Sequence, residues 1–130
     1  MTANDADKEN KTRGLRHLFQ ATRYSLKGLR TAFRDETAFR QELFLCIFLL
    51  PASFFVGSSA IETAILIATL LLVLIVELIN SAIEAAVDFT GTEFHPLAGK
   101  AKDLGSASVM IALILAGIFW FAMLYQNLLL

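Results

Sequence analysis

Five polar residues follow a long apolar run and share one side of a predicted helix. They are Glu77, Asn80, Ser81, Glu84 and Asp88. At about 100° per residue, all five lie within an arc of about 100°. The fourteen residues from Thr63 to Val76 that precede them carry no charge. Because carboxylates on so apolar a helix are costly in a membrane, we call this arc the acidic seam and interpret it as the functional surface.

The acidic seam offers two kinds of chemistry along its length. Glu77 is expected at lipid depth, where desolvation disfavours the charged carboxylate and makes it a stronger general base. Glu84, two turns nearer to water, could hold Mg²⁺, which prefers carboxylate oxygen, water and substrate phosphates. Asn80 lies between them and could orient either group. The structural alternatives are a polar residue that only joins helices, for Glu77, and a solvated helix end, for Glu84 and Asp88.

Composition and charge distribution predict a membrane protein. Hydrophobic residues make up 56% of the 130 residues, well above a soluble domain of this size. Of the eleven Lys and Arg residues, nine precede residue 41, and the others are Lys100 and Lys102. Since cytoplasmic segments carry the excess of positive charge, the N-terminus and the segment with these two lysines are predicted to be cytoplasmic.

The chain is predicted to form one all-α membrane domain. Residues 1–11 are polar and lack apolar periodicity, so we expect a disordered tail. Residues 12–34 form a basic amphipathic pattern that suits a helix on the membrane surface. Transmembrane helices are predicted at about 36–56, 60–88 and 106–127, with a cytoplasmic loop at 89–105. The domain therefore covers residues 12–130.

No phosphate-binding glycine loop of either common spacing is present in the sequence. His17 and His95 are isolated histidines without metal-ligand spacing, and a surface or capping role suits each. Lys100 and Lys102 could neutralise phosphate oxygens. From chemistry alone, we would propose a membrane enzyme or an ion-coupled carrier with carboxylates and lysines at headgroup level.

Four stretches of the sequence together resemble the small prokaryotic diacylglycerol kinases. The main ones are Glu77-Leu-Ile-Asn80-Ser-Ala-Ile-Glu84 and, after it, Glu93-Phe-His95-Pro-Leu-Ala-Gly-Lys100-Ala-Lys102-Asp103. Upstream, Tyr24 to Arg30 and Glu36 to Glu42 match the same family in order and spacing, so the resemblance covers roughly Arg16 to Trp120. It implies a homotrimeric helical bundle in the bacterial inner membrane, which transfers the γ-phosphoryl of MgATP to diacylglycerol to give phosphatidic acid. Membrane lipids are the remaining expected partners, and no nucleic acid is expected.

The resemblance also implies roles for individual residues. Glu77 resembles the general base for the lipid hydroxyl, Asn80 supports it, and Glu36 and Glu84 resemble the metal ligands. The implied ATP contacts are Tyr24, Glu36, Glu84, Glu93, Phe94, His95, Lys102 and Asp103. The implied substrate contacts are His17, Arg30, Glu42, Glu77 and Ser106. Neighbouring subunits share each site in this family.

Two departures and two alternatives accompany the resemblance. Phe94 stands where the family commonly has Tyr, and the early cation of the family falls on either Arg16 or His17. Undecaprenol kinase has the same fold and chemistry but another lipid substrate. The segments Phe39 to Glu42 and Leu104 to Ala107 look more like the diacylglycerol branch. A non-enzymatic membrane subunit, in which the carboxylates matter only for assembly, is the alternative from another class.

Overall fold

The computed structural model describes the backbone of residues 3–89, 91 and 95–129. These residues form helices and no strand, which confirms the predicted all-α class. The helices are α1 (Ala3–Asp35), α2 (Thr37–Val56), α3 (Ala60–Phe89) and α4 (Pro96–Leu124), and a π-helical turn, Tyr125–Leu129, follows. The chain divides into two units, one of which is α1 and the other residues 36–130.

Helix α1 is amphipathic and largely exposed. Its apolar side chains recur at helical spacing between the basic ones, and Leu18, Phe19 and Leu26 are all exposed. The helix includes the whole predicted surface helix at 12–34 and starts earlier, at Ala3. The backbone is therefore helical across most of the segment that we expected to be a disordered tail. The alanine, lysine and glutamate residues of that segment are good helix formers, which periodicity alone does not register.

Among the residues that the structure describes, three segments are long and apolar enough to cross a membrane. They are Thr37–Val56, Ala60–Phe89 and Pro96–Leu128. The first two agree with the predicted spans to within one residue, whereas the third starts at Pro96 rather than at residue 106. Proline suits the first turn of a helix because a backbone N–H there has no partner within the helix, so its absence costs no hydrogen bond. His95 caps this turn. Most of the predicted loop at 89–105 is consequently helical.

Helix α3 supplies the core of the second unit. Its buried residues are Leu66, Thr69, Leu70, Val73, Glu77 and Asn80. Steps of three and four residues place them on one face, and we call this face the core stripe. The most extensive packing is against α4, whose buried residues Gly105, Ala112 and Ala116 are all small. Small residues let helix backbones approach closely, so α3 and α4 form a tight pair that positions the acidic seam.

The end of this unit that is remote from the acidic seam is closed by polar contacts. The Asn127 side-chain Nδ2 donates to the Val56 carbonyl at 2.9 Å and to Glu62 Oε2 at 2.7 Å. Glu62 Oε2 also accepts from the Ser58 backbone N–H at 2.9 Å, and Ser59 Oγ accepts from the Glu62 N–H at 3.2 Å. These contacts join the π-helical turn to the connection between α2 and α3, and we call them the remote clamp.

Candidate active site

The acidic seam changes from buried to exposed along α3. Glu77 is 5% exposed and Asn80 is 8% exposed, because both continue the core stripe of the helix. Glu84 is half-buried, and Asp88 is exposed. One helix therefore presents a protected carboxylate at one end of the seam and an accessible carboxylate at the other.

Packing brings two carboxylates from the α2 side to the acidic seam. The Glu77 carboxylate is repelled electrostatically by the carboxylates of Glu36, Glu42 and Glu84. Glu36 precedes α2 in an extended conformation, and its side chain makes no capping hydrogen bond to this helix. The helix terminus therefore does not engage its carboxylate. We call Glu36, Glu42, Glu77 and Glu84 the carboxylate cluster. A cluster of like charges is stabilised when a cation or protons reach it.

Asn80 links the buried and accessible halves of the cluster. Its Nδ2 donates a hydrogen bond to Glu84 Oε1 at 3.1 Å. Since a carboxylate only accepts, this contact identifies which end of the amide faces Glu84. The opposite atom, Oδ1, is buried and has no hydrogen-bond partner in the part of the chain that the structure describes. The same holds for Glu42 Oε2. Buried acceptors without a hydrogen-bond partner are rare in proteins, so both atoms mark a candidate site for a ligand or a proton.

A lysine lies at the exposed end of the acidic seam. Lys102 Nζ on α4 forms an ion pair with Asp88 Oδ1 on α3 at 2.5 Å. Lys102 also attracts Glu84 electrostatically. The pair spans the connection between the two helices and places an ammonium group next to the accessible carboxylates. Sequence reasoning named both residues but not their pairing, which depends on how α4 packs on α3.

Three further predicted site residues of the second unit, His95, Asp103 and Ser106, lie on or beside α4. His95 Nδ1 accepts a hydrogen bond from the Leu97 backbone N–H at 3.2 Å, so this histidine caps α4 and keeps its other ring nitrogen available. Asp103 and Ser106 are exposed on the first turns of the helix. Glu93 and Phe94 lie outside the residues that the structure describes.

Three of the predicted site residues belong to α1, which is a unit by itself. His17, Tyr24 and Arg30 are all exposed on this helix. They remain available to a substrate, but their roles stay predictions.

The donor set of the carboxylate cluster suits a magnesium ion that also binds phosphate. Among the described residues, no three His, Cys, Asp or Glu side chains converge closely enough to form a metal site on their own. Mg²⁺ commonly binds one or two carboxylates and completes its coordination with water and substrate phosphate oxygens. Glu36 and Glu84 fit this incomplete set, since both are partly accessible and their carboxylates lie near the same buried Glu77.

One contact that sequence reasoning missed joins Asn80 to Gly105. Gly105 is buried on α4, and a Cβ at this position would overlap Asn80 Oδ1. The sequence pattern predicts a loop at Gly105, and glycine is common in loops. The available signal was the spacing of Gly105, Ala112 and Ala116, which places three small residues on one helix face.

Comparison with known proteins gives concordant matches. The sequence model of the prokaryotic diacylglycerol kinase family matches residues 23–124. The diacylglycerol kinase of Haemophilus influenzae is 54% identical over 115 residues, which are 88% of this chain and 98% of the relative. That of Escherichia coli strain K12 is 45% identical over 118 residues, 91% of this chain and 97% of the relative. That of Pseudomonas aeruginosa is 50% identical over 107 residues, 82% of this chain and 87% of the relative.

Proposed function

The chain belongs to the prokaryotic diacylglycerol kinase family, and from this premise we propose that it phosphorylates diacylglycerol with ATP. It is an integral membrane protein, in agreement with its three helices of spanning length and composition. The observation that carries the proposal is the buried Glu77 carboxylate on an apolar helix, one turn from Asn80 and two turns from the accessible Glu84. This order suits a reaction between a substrate from the lipid and a substrate from water.

Glu77 acts as the general base in the proposed mechanism. Its carboxylate takes the proton of the diacylglycerol hydroxyl as the lipid oxygen attacks the γ-phosphorus of ATP. The bond from the lipid oxygen to phosphorus forms, the bond from phosphorus to the β–γ bridging oxygen breaks, and ADP leaves with the electron pair. Phosphoryl transfer depends mainly on positioning and charge neutralisation, which a fixed base and nearby ligands provide. Burial supports this role because a poorly solvated carboxylate is a stronger base.

The exposed end of the acidic seam binds the nucleotide. Glu36 and Glu84 would hold Mg²⁺, which would offset the negative charge of the phosphates. Lys102 exchanges its partner Asp88 for a phosphate oxygen, because both are anions within reach of a flexible ammonium group. The further proposed nucleotide contacts are Tyr24, Glu93, Phe94, His95 and Asp103.

The lipid substrate binds from the opposite, apolar side of the seam. Glu42 contacts the glycerol hydroxyl region beside Glu77, which is consistent with its buried and unpartnered Oε2. Ser106 and Arg30 are further proposed lipid contacts, and Arg16 or His17 serves as the early cation. We place α1 on the membrane surface, since its apolar and basic side chains suit the boundary between acyl chains and anionic headgroups.

We infer that the protein acts as a homotrimer in the bacterial inner membrane. Large apolar side chains on all three spanning helices are exposed in the single chain, for example Phe44, Phe55, Ile79 and Phe121. Lipid and neighbouring subunits would cover them. The distribution of Lys and Arg favours a cytoplasmic N-terminus and a cytoplasmic start of α4. In this orientation the acidic seam faces the compartment that supplies ATP.

The proposal is tested with labelled ATP and lipid substrates in mixed micelles. The purified wild-type protein is given diacylglycerol or undecaprenol, with Mg²⁺, and the labelled lipid product is measured. The test variant is Glu77→Gln, which keeps size and removes the base. Its matched control is Glu62→Gln, which makes the same change near the other end of α3, in the remote clamp.

We expect labelling of diacylglycerol by the wild type and by Glu62→Gln, and loss of at least roughly 100-fold in Glu77→Gln, the lower range for a general base. Preferential labelling of undecaprenol would replace the proposed substrate. No labelling of either lipid would favour a non-enzymatic membrane subunit. A fully active Glu77→Gln protein would remove Glu77 from the role of base.

A further inference from the structure

Gly105 on α4 packs against Asn80 of α3 at the candidate site, and it has no role in the mechanism above. Gly105 is buried in α4, although it lies in the interior of a helix where glycine is unfavourable. Its Cα lies in the α3–α4 interface, opposite Asn80. Because glycine in a helix interior lowers helix stability, its surroundings must explain why this position is a glycine.

The surroundings of Gly105 supply that reason. A Cβ built on Gly105 would approach Asn80 Oδ1 more closely than non-bonded atoms allow, whereas it would make only ordinary contact with the Asn80 backbone, at 3.9 Å from Cα. The overlap is therefore with the amide group and not with the helix. Gly99 and Gly117, on the same helix, have no atom within 4 Å of the equivalent position. The steric requirement for glycine is thus confined to the point where α4 faces the Asn80 amide.

The orientation of the Asn80 amide matters because its two ends have different surroundings. Nδ2 donates to Glu84 Oε1 at 3.1 Å, and this contact directs Oδ1 toward α4. Asn80 is 8% exposed, so the surrounding packing favours this orientation of its amide. A methyl group on residue 105 would push Oδ1 away and rotate Nδ2 off Glu84.

We propose that Gly105 is a positioning residue that acts through Asn80. Its missing side chain leaves the space in which the Asn80 amide holds the accessible carboxylate Glu84 in register with the buried Glu77. The inference depends on the proposed function for its activity measurement, and the clash itself is tested independently by unfolding. Since Oδ1 is the end of a side chain, the amide yields and the fold survives.

The experiment is a double-mutant cycle with Gly105→Ala, Asn80→Ala and the double variant. Gly99→Ala and Gly117→Ala are the matched controls, as each adds the same methyl group to α4 where nothing lies within 4 Å. The measurements are kcat, KM for ATP, the Mg²⁺ concentration at half-maximal rate, and the midpoint of thermal unfolding. Enough enzyme is used to quantify strongly reduced rates.

Gly105→Ala is expected to lower kcat roughly 100-fold, the loss typical of a displacement of about 1 Å at a reacting site. It should also raise the Mg²⁺ requirement, since Glu84 loses its hydrogen bond, while the unfolding midpoint stays at or above that of the wild type. The double variant should have the kcat of Asn80→Ala, because without the amide the added methyl group meets nothing. Both controls should keep the wild-type kcat within twofold.

The inference is overturned by a wild-type kcat in Gly105→Ala, or by losses that multiply in the double variant. If Gly105→Ala does not fold, Asn80→Ala in the same chain must restore folding, and failure to do so also overturns it. A wild-type protein that labels neither lipid refutes the proposed function. In that case, the unfolding midpoints still decide whether the methyl group and the amide are coupled.

Discussion

The remote clamp allows a prediction about stability that is separate from catalysis. Asn127 Nδ2 donates to the neutral Val56 carbonyl at 2.9 Å and to the Glu62 carboxylate at 2.7 Å. A neutral hydrogen bond contributes about 0.5–1.5 kcal/mol and one to a charged group about 1.5–3 kcal/mol. Asn127→Ala removes both but leaves Glu62 its bond from the Ser58 N–H. Because Asn127 is only half-buried and water can replace part of the loss, we expect the free energy of unfolding to fall by about 2 kcal/mol.

The measurement is reversible unfolding in mixed micelles, with activity recorded on the same samples. Gln126→Ala is the matched control, since it removes a neighbouring amide that is exposed. Asn127→Ala should keep its kcat at low temperature, because the clamp lies at the end of the unit remote from the acidic seam. A double-mutant cycle with Glu62→Gln should reveal coupling of roughly 1 kcal/mol or more. Equal destabilisation by Asn127→Ala and Gln126→Ala would refute the reasoning.

Three further predictions concern other contacts in the second unit. Gly57→Ala should lower the free energy of unfolding by about 1–3 kcal/mol, because the new Cβ would lie 2.6 Å from Thr63 Oγ1 and 2.8 Å from its backbone nitrogen, which cannot move cheaply. Asp88→Asn should lower the free energy of unfolding by less than about 1 kcal/mol, since the ion pair with Lys102 is exposed. This variant should still label lipid. Lys102→Met, in contrast, should raise the KM for ATP. Glu84→Gln should raise the Mg²⁺ concentration at half-maximal rate in a magnesium titration.

Each of these predictions has a control or a contrary result. Gly99→Ala adds a methyl group without a neighbour within 4 Å, so comparable destabilisation by it would contradict the steric account of Gly57. Equal loss of ATP affinity in Asp88→Asn and Lys102→Met would mean that the pair acts as a unit and that Lys102 is not released to phosphate. An unchanged magnesium titration in Glu84→Gln would exclude this carboxylate as a ligand.

Several features of the site followed from local sequence because they depend only on helical periodicity. The acidic seam is one example, since a helix places residues 77, 80, 84 and 88 on one side whatever surrounds it. The limits of α2 and α3 are another, because apolar runs end where polar turns begin. The start of α4 was misplaced, because the residues after Pro96 are polar and rich in glycine and resemble a loop until packing on α3 stabilises them as helix.

Local sequence therefore predicts an apolar helical protein, the side of α3 that carries polar residues, and a set of motifs that resemble one family. Which residues of different helices meet depends on the packing of the whole chain. This packing brought the Glu42 carboxylate within electrostatic range of Glu77, paired Lys102 with Asp88 and brought Gly105 against Asn80. The physical reason is that such contacts depend on the rotation and axial shift of one helix relative to another. Side-chain volumes along the whole interface set that rotation and shift, and the period of a single helix carries no information about them.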